Sequence, residues 1–298
     1  MEVAMNVKLD QFEVRPVAQR TWQKLIVMAL FFGSIGTGLF LVSSFYGFAF
    51  GIILALIIVV VGMGGGYLAD LGHPLRVWRI LASWTALKTS WITRGLWGIA
   101  IFIVFGLLSL ASLLGWLPWS NEAIAARVIL GIAVVAGIWV MLYTGIVLAA
   151  SPSIRFWNTP MLPALFMVYG LLGGIDITFI SVAALGEIHA VDVKVLELIQ
   201  ISLIILCLIF IWAYLAVMSS SSGGAREAVR MITKGELASI FWGVVIVAGL
   251  IIPLVVVLYT YIVGLPLVVT GVVGLLGLAG CLYFRYCVLR AGVYSPLI

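Results

Sequence analysis

Eight long apolar runs separated by short polar stretches divide this 298-residue chain. They cover about 22–43, 47–68, 96–117, 126–149, 161–184, 197–219, 238–259 and 264–286. Each is long enough to cross a hydrocarbon core of about 30 Å at roughly 1.5 Å per residue. None alternates with the period of two that a barrel strand requires, so the runs read as helices, whose backbone hydrogen bonds are satisfied internally. The pattern predicts an all-α polytopic membrane protein with eight transmembrane helices, both termini on the same side, and a single integral membrane domain over 1–298. The longest loop, about 69–95, leaves no room for a water-soluble domain.

Charge sorts along the same cut. Fourteen of the sixteen Lys and Arg residues fall on the side of the termini: Lys8, Arg15, Arg20, Lys24, Arg76, Arg79, Lys88, Arg94, Arg155, Arg226, Arg230, Lys234, Arg285 and Arg290. Only Arg127 and Lys194 fall on the other. By the positive-inside rule the termini are cytoplasmic. The net charge of +5 follows from this bias, so it does not point to nucleic acid. The basic face suits lipid headgroups and orientation, or the docking of a soluble subunit. A chain 64% hydrophobic and 9% charged is not an ordinary soluble globule. Its N-terminal stretch mixes Glu2, Lys8, Asp10, Glu13 and Arg15 and does not read as a cleavable signal peptide.

The remaining composition narrows the chemistry. Three cysteines, Cys207, Cys281 and Cys287, form no C-x-x-C pair, and an iron–sulfur cluster needs about four thiolates. The two histidines, His73 and His189, fall in loops on opposite faces, so paired-His haem ligation within the spans is not expected. Glycines line the first span at Gly33, Gly36 and Gly38 and recur at Gly271, Gly274, Gly277 and Gly280 in the last. Small residues let membrane helices approach closely. Pro253 predicts a kink and Pro266 a helix start. Trp22, Trp97, Trp116, Trp119, Trp157 and Tyr259 fall near span ends, as in aromatic belts. The Ser219–Gly224 stretch reads as a flexible hinge.

Asp176 is the one acid expected inside the bilayer. A carboxyl there costs several kcal/mol unless it is paired or hydrated. It is either hydrogen-bonded to a neighbour or part of a proton path, with Glu187 and His189 leading to the opposite face. The 69–95 loop holds Arg76, Trp78, Arg79, Trp91 and Arg94, and the loop after span four holds Arg155, Phe156, Trp157 and Asn158. Orientation requires the cations but not the aromatics. Arg and Trp together suit a partner protein or an aromatic headgroup bearing carbonyls.

These residues carry a family likeness. Leu71-Gly72-x-Pro74-Leu75-Arg76-x-Trp78-Arg79, then Ser90-Trp91 and Arg94-Gly95, resembles the signature loop of the NrfD/polysulfide reductase membrane subunits. Tyr143-Thr144-Gly145, Ser151-Pro152 and Phe156-Trp157-Asn158-Thr159 resemble that family too. So do Trp22 and Gln23 with the following Phe31-Phe32-Gly33-Ser34-Ile35-Gly36-Thr37-Gly38. Some members carry His or Asn where Trp22 and Gln23 stand here.

The resemblance implies a quinone-reactive membrane anchor of a respiratory oxidoreductase in a prokaryotic cell membrane, a subunit that does not act alone. It would pass electrons between a quinone, of menaquinone type, and a docked ferredoxin-like iron–sulfur subunit, alongside a molybdopterin catalytic subunit. The chain itself would hold no haem and no iron–sulfur cluster. The implied quinone contacts are Trp22, Gln23, Tyr143 and Arg76. The docking residues are Arg79, Trp91, Arg94, Arg155, Trp157 and Asn158. In many members the catalytic subunits lie outside the cytoplasmic membrane. Either this chain faces inward or its basic residues serve docking, and the charge bias favours the first. Two alternatives remain open: a secondary transporter with a midplane site near Asp176, or a passive anchor without a quinone site.

Overall fold

The computed structural model describes residues 17–19, 22, 24–70, 82–186 and 191–294. Eight of its helices are long and apolar enough to cross a membrane: α1 (Lys24–Phe45), α2 (Ala49–Asp70), α4 (Trp91–Leu113), α5 (Ile124–Ala149), α6 (Met161–Leu185), α7 (Val193–Ser219), α9 (Ile240–Val263) and α10 (Leu267–Arg290). Two short helices lie between them, α3 (Trp84–Thr89) and α8 (Gly223–Thr233). The described ends meet in a two-stranded antiparallel ribbon, in which Val17 of β1 (Val17–Ala18) pairs with Tyr294 of β2 (Val293–Tyr294). Both ends therefore lie on one side, called here the near face.

Capping decides where the helices begin. Ser90 Oγ accepts from the Thr93 amide and starts α4 five residues before the apolar run at 96. Asp192 Oδ1 accepts from the Val195 amide and starts α7 four residues before 197. Each cap satisfies an amide that the first helical turn leaves unpaired. Trp91 and Arg94 consequently sit on the first turn of a spanning helix and not in a loop. Ser222 likewise caps α8 at the Ala225 amide, so Gly223 and Gly224 are helical and the expected hinge is replaced by a tight turn. Pro266 precedes α10 as expected. Ahead of Pro253, residues Ile240–Ile251 run as wide π-helical turns. This loosened ladder accommodates a residue that has no amide hydrogen and whose ring crowds the preceding turn.

Helices α1 and α6 form the buried centre of the bundle. Helix α6 packs on α1, α5, α7 and α10, while α4 packs on α5 and α9 packs on α10. The α1–α6 crossing depends on small residues: a methyl on Gly38 would come within 2.7 Å of the Gly170 carbonyl carbon, and one on Gly174 within 2.5 Å of the Leu39 amide. The exposed large side chains, among them Val61, Val104, Val135, Trp212 and Ile262, face outward, where lipid is the natural solvent.

Candidate functional site

Near-face ends of α2, α4 and α5 place the phenols of Tyr67 and Tyr143 close to each other. Tyr143 is only 2% exposed. Its ring lies over Gly95, where any side chain would overlap it, which explains why α4 carries glycine one residue after Arg94. The Tyr67 hydroxyl is buried and makes no hydrogen bond of ordinary geometry. Two phenols in apolar surroundings, one of them with unused hydrogen-bonding capacity, fit a carbonyl-bearing ring that needs a donor and a dry contact surface. Among the expected contacts, Gln23 and Arg76 lie outside the described residues. Trp22 lies at the near face, just ahead of α1. It stacks edge-on against Trp157 with 5.9 Å between ring centres, and its amide donates to Gln19 Oε1 at 2.9 Å.

Gln19, Trp22, Lys24, Tyr286, Leu289 and Arg290 line a near-face cleft of about 580 Å³. Gln19 closes it by donating to the carbonyls of Trp22 and Leu289. The entry to α1 is thereby fastened to the end of α10.

The docking candidates separate by burial. Trp91, Arg155 and Asn158 are exposed. Asn158 donates to the Ala149 carbonyl at 2.6 Å, ending α5. Arg94 is half-buried, donates to the carbonyls of Leu87 and Lys88, and lies over the Trp91 ring at 4.6 Å. Trp157 is fully buried, with its indole N–H donated to the Val288 carbonyl at 2.8 Å. It supports the near face from beneath and is not part of an aromatic belt. Arg79 lies outside the described residues.

Deeper in the bundle, Asp176 is fully buried, roughly 13 Å from the far end of α6 at about 1.5 Å per residue. Its Oδ1 accepts from Gln200 Nε2 on α7 at 2.7 Å. Asp176 Oδ2 and Gln200 Oε1 have no partner. Glu187 and His189 lie outside the described residues. Glu197, one turn before Gln200, is 3% exposed, so Asp176 is not the only acid within the spans.

Arg285 corrects the charge map. It is a fully buried group and not a near-face cation. Its guanidinium donates to Cys281 O at 2.9 Å, Cys281 Sγ at 3.1 Å, Phe166 O at 3.3 Å and Ser34 Oγ, and it sits 4.9 Å from the Phe166 ring. It thereby joins α1, α6 and α10. Among the described residues it has no ion pair, and its Nε has no partner. Its position near the end of an apolar run gave it the look of an interfacial cation. The available signal was its spacing from Cys281, one turn earlier on the same face as the glycine stripe. Among the described residues no three His, Cys, Asp or Glu side chains converge in a way that could hold a metal ion.

Comparison with known proteins finds relatives of this chain. The polysulfide reductase C subunit of Wolinella succinogenes is 31% identical over 210 residues, covering 62% of this chain and 63% of that protein. The NrfD homolog of Haemophilus influenzae is 27% identical over 115 residues, covering 38% of this chain and 36% of that protein. The match thus spans less than two thirds of the length of either relative. The family described as polysulphide reductase, NrfD, matches residues 14–296, nearly the whole sequence, and this chain belongs to that family.

Proposed function

We propose that this chain is the quinone-reactive membrane subunit of a respiratory oxidoreductase, exchanging electrons with an iron–sulfur subunit docked on its near face. The observation that carries the reading is the pairing, beneath that face, of buried Tyr143 with half-buried Tyr67, whose hydroxyl is enclosed. A quinone, when bound there, supplies a two-electron, two-proton carrier. The chain's own residues do the rest. Tyr143 or Tyr67 donates a hydrogen bond to a ring carbonyl, which fixes orientation and offers a route for a proton. Gly95 leaves room for the phenol of Tyr143, and apolar neighbours exclude water. Trp22, Gln23 and Arg76 complete the proposed contacts.

Trp91, Arg94, Arg155 and Asn158, together with Arg79, form the proposed docking surface, with Trp157 supporting it from below. An iron–sulfur subunit of ferredoxin type, joined to a molybdopterin enzyme, is the proposed partner set, and menaquinone the proposed quinone. The basic near face supports a cytoplasmic position for the termini. A transporter would call for a discontinuous helix around its buried acid. Helix α6 is unbroken across Asp176, which favours the subunit reading.

Purification in mild detergent, subunit identification and a redox titration test the proposal. The expected result is co-purifying iron–sulfur and molybdenum subunits whose clusters are reduced by added quinol or oxidised by added quinone. A single polypeptide with no quinone-linked redox signal would overturn it.

A further inference from the structure

We propose that Glu197 is the group through which Asp176 exchanges protons with water on the far face, with Gln200 holding the buried acid in place between them. The inference deepens the quinone reading by giving its proton chemistry a connection across the far half of the bundle.

A cavity of about 520 Å³ opens at the far-face ends of α6, α7, α9 and α10. Asp192, Lys194, Glu197, Thr260 and Thr270 supply its polar lining. Glu197 and Gln200 are three residues apart on α7 and so share one helix face. Gln200 in turn donates to Asp176 at 2.7 Å. Glu197 lines the cavity, Gln200 follows one turn deeper on the same helix face, and Asp176 meets Gln200, so the three residues run in order from cavity to bundle interior.

The inner end of this row is incomplete. Asp176 Oδ2 and Gln200 Oε1 are both buried acceptor atoms without a donor, and each unmade hydrogen bond costs about 1–3 kcal/mol. A proton on the carboxyl, or a water between the two atoms, removes that deficit. A static clamp between α6 and α7 would need neither the second acidic side chain nor the cavity. Among the described residues, Asp192, Lys194, Thr260 and Thr270 share the cavity with Glu197. Cys207 and Cys281 lie within electrostatic range of Asp176, and Lys194 within range of Glu197.

The transfer balances simply. A bridging water carries the proton past Gln200: one O–H bond breaks at Glu197 as that water takes the proton, the water gives up another as an O–H bond forms at Asp176, and Glu197 takes a replacement proton from cavity water, leaving hydroxide to the solvent. No electron moves, and the reverse sequence releases the proton.

The test reads the buried carboxyl directly, in the full-length chain reconstituted in lipid with its native partners. Infrared spectroscopy identifies the neutral-acid carbonyl band that Asp176→Asn removes. The rate at which that band shifts on transfer to deuterated water reports its access to solvent. Glu197→Gln is expected to slow the shift roughly tenfold or more, equivalent to ~1.4 kcal/mol of barrier, and Glu197→Asp to restore it. Thr270→Leu, which narrows the cavity without touching either acid, should also slow it and serves if Glu197→Gln does not accumulate. Unchanged exchange in these variants, or no exchanging band in the wild type, overturns the proposal. Because no quinone enters the measurement, its failure leaves the quinone reading standing, and a failure of quinol turnover leaves the exchange result standing.

Discussion

Gly277 of α10 lies against the carboxyl of Asp176 on α6: a methyl added to Gly277 would come within 2.8 Å of the carboxyl carbon. The glycine stripe therefore admits a polar group into a helix interface as well as bringing two backbones together. Its neighbour Gly274 meets the Asp176 backbone, and Gly280 meets Gly249 of α9. Gly277→Ala is expected to destabilise the protein by about 1–3 kcal/mol, the usual cost of overfilling a packed interior. Thermal unfolding in detergent measures it. The same substitution in an Asp176→Ala background should cost much less, because the obstructing carboxyl is gone. Equal losses in the two backgrounds would show that the carboxyl is not what Gly277 accommodates.

Arg285 gives a second prediction. One planar guanidinium reaches Ser34, Phe166 and Cys281 on three helices. An ammonium is a compact point charge and cannot span the same fork. Arg285→Lys should therefore lower stability by about 2 kcal/mol or more, since hydrogen bonds made by a charged group are worth roughly 1.5–3 kcal/mol each. A melting temperature equal to that of the wild type would refute the tie.

Tyr143→Phe removes a hydroxyl and keeps the ring that covers Gly95. Assembly should be intact. Quinol-dependent turnover should fall about tenfold, the equivalent of ~1.4 kcal/mol for one lost hydrogen bond. Steady-state assays of the purified complex decide this, and an unchanged rate would remove Tyr143 from the site. Tyr67→Phe asks the same of its neighbour.

Arg155 tests the docking face. It is exposed and takes part in no described ion pair. Arg155→Glu should leave the chain in the membrane at normal levels yet reduce recovery of the iron–sulfur subunit. Added salt should narrow the difference from the wild type, because it screens the interactions between exposed charges. Full recovery of the subunit at both low and high salt would place docking elsewhere.

Much of the architecture was legible along the chain. Eight apolar runs became eight spanning helices because membrane crossing demands length and continuity, both of which are one-dimensional properties. The helix starts were misplaced where a cap such as Ser90 or Asp192 extends a helix beyond its apolar run. Tyr143 stood out through its position near the end of a span and its likeness to a family motif. Its partner Tyr67 did not, because nothing in the sequence says which face of α2 turns toward α5. Glu197 and Gln200 were passed over for the same reason. At the start of an apolar run they look like boundary residues, and only the packing of α7 on α6 brings Gln200 against Asp176, with Glu197 one turn away.

The sequence by itself determined what must be inside a bilayer and on which side the charges gather, since both follow from the cost of moving polar groups into hydrocarbon. Tertiary structure alone decided which polar groups inside that hydrocarbon are satisfied, and by whom. Arg285 is held by residues 119 and 251 positions away, and Asp176 by one 24 positions away. A buried charge is stabilised by the geometry of its donors and acceptors, and that geometry exists only once the helices have packed.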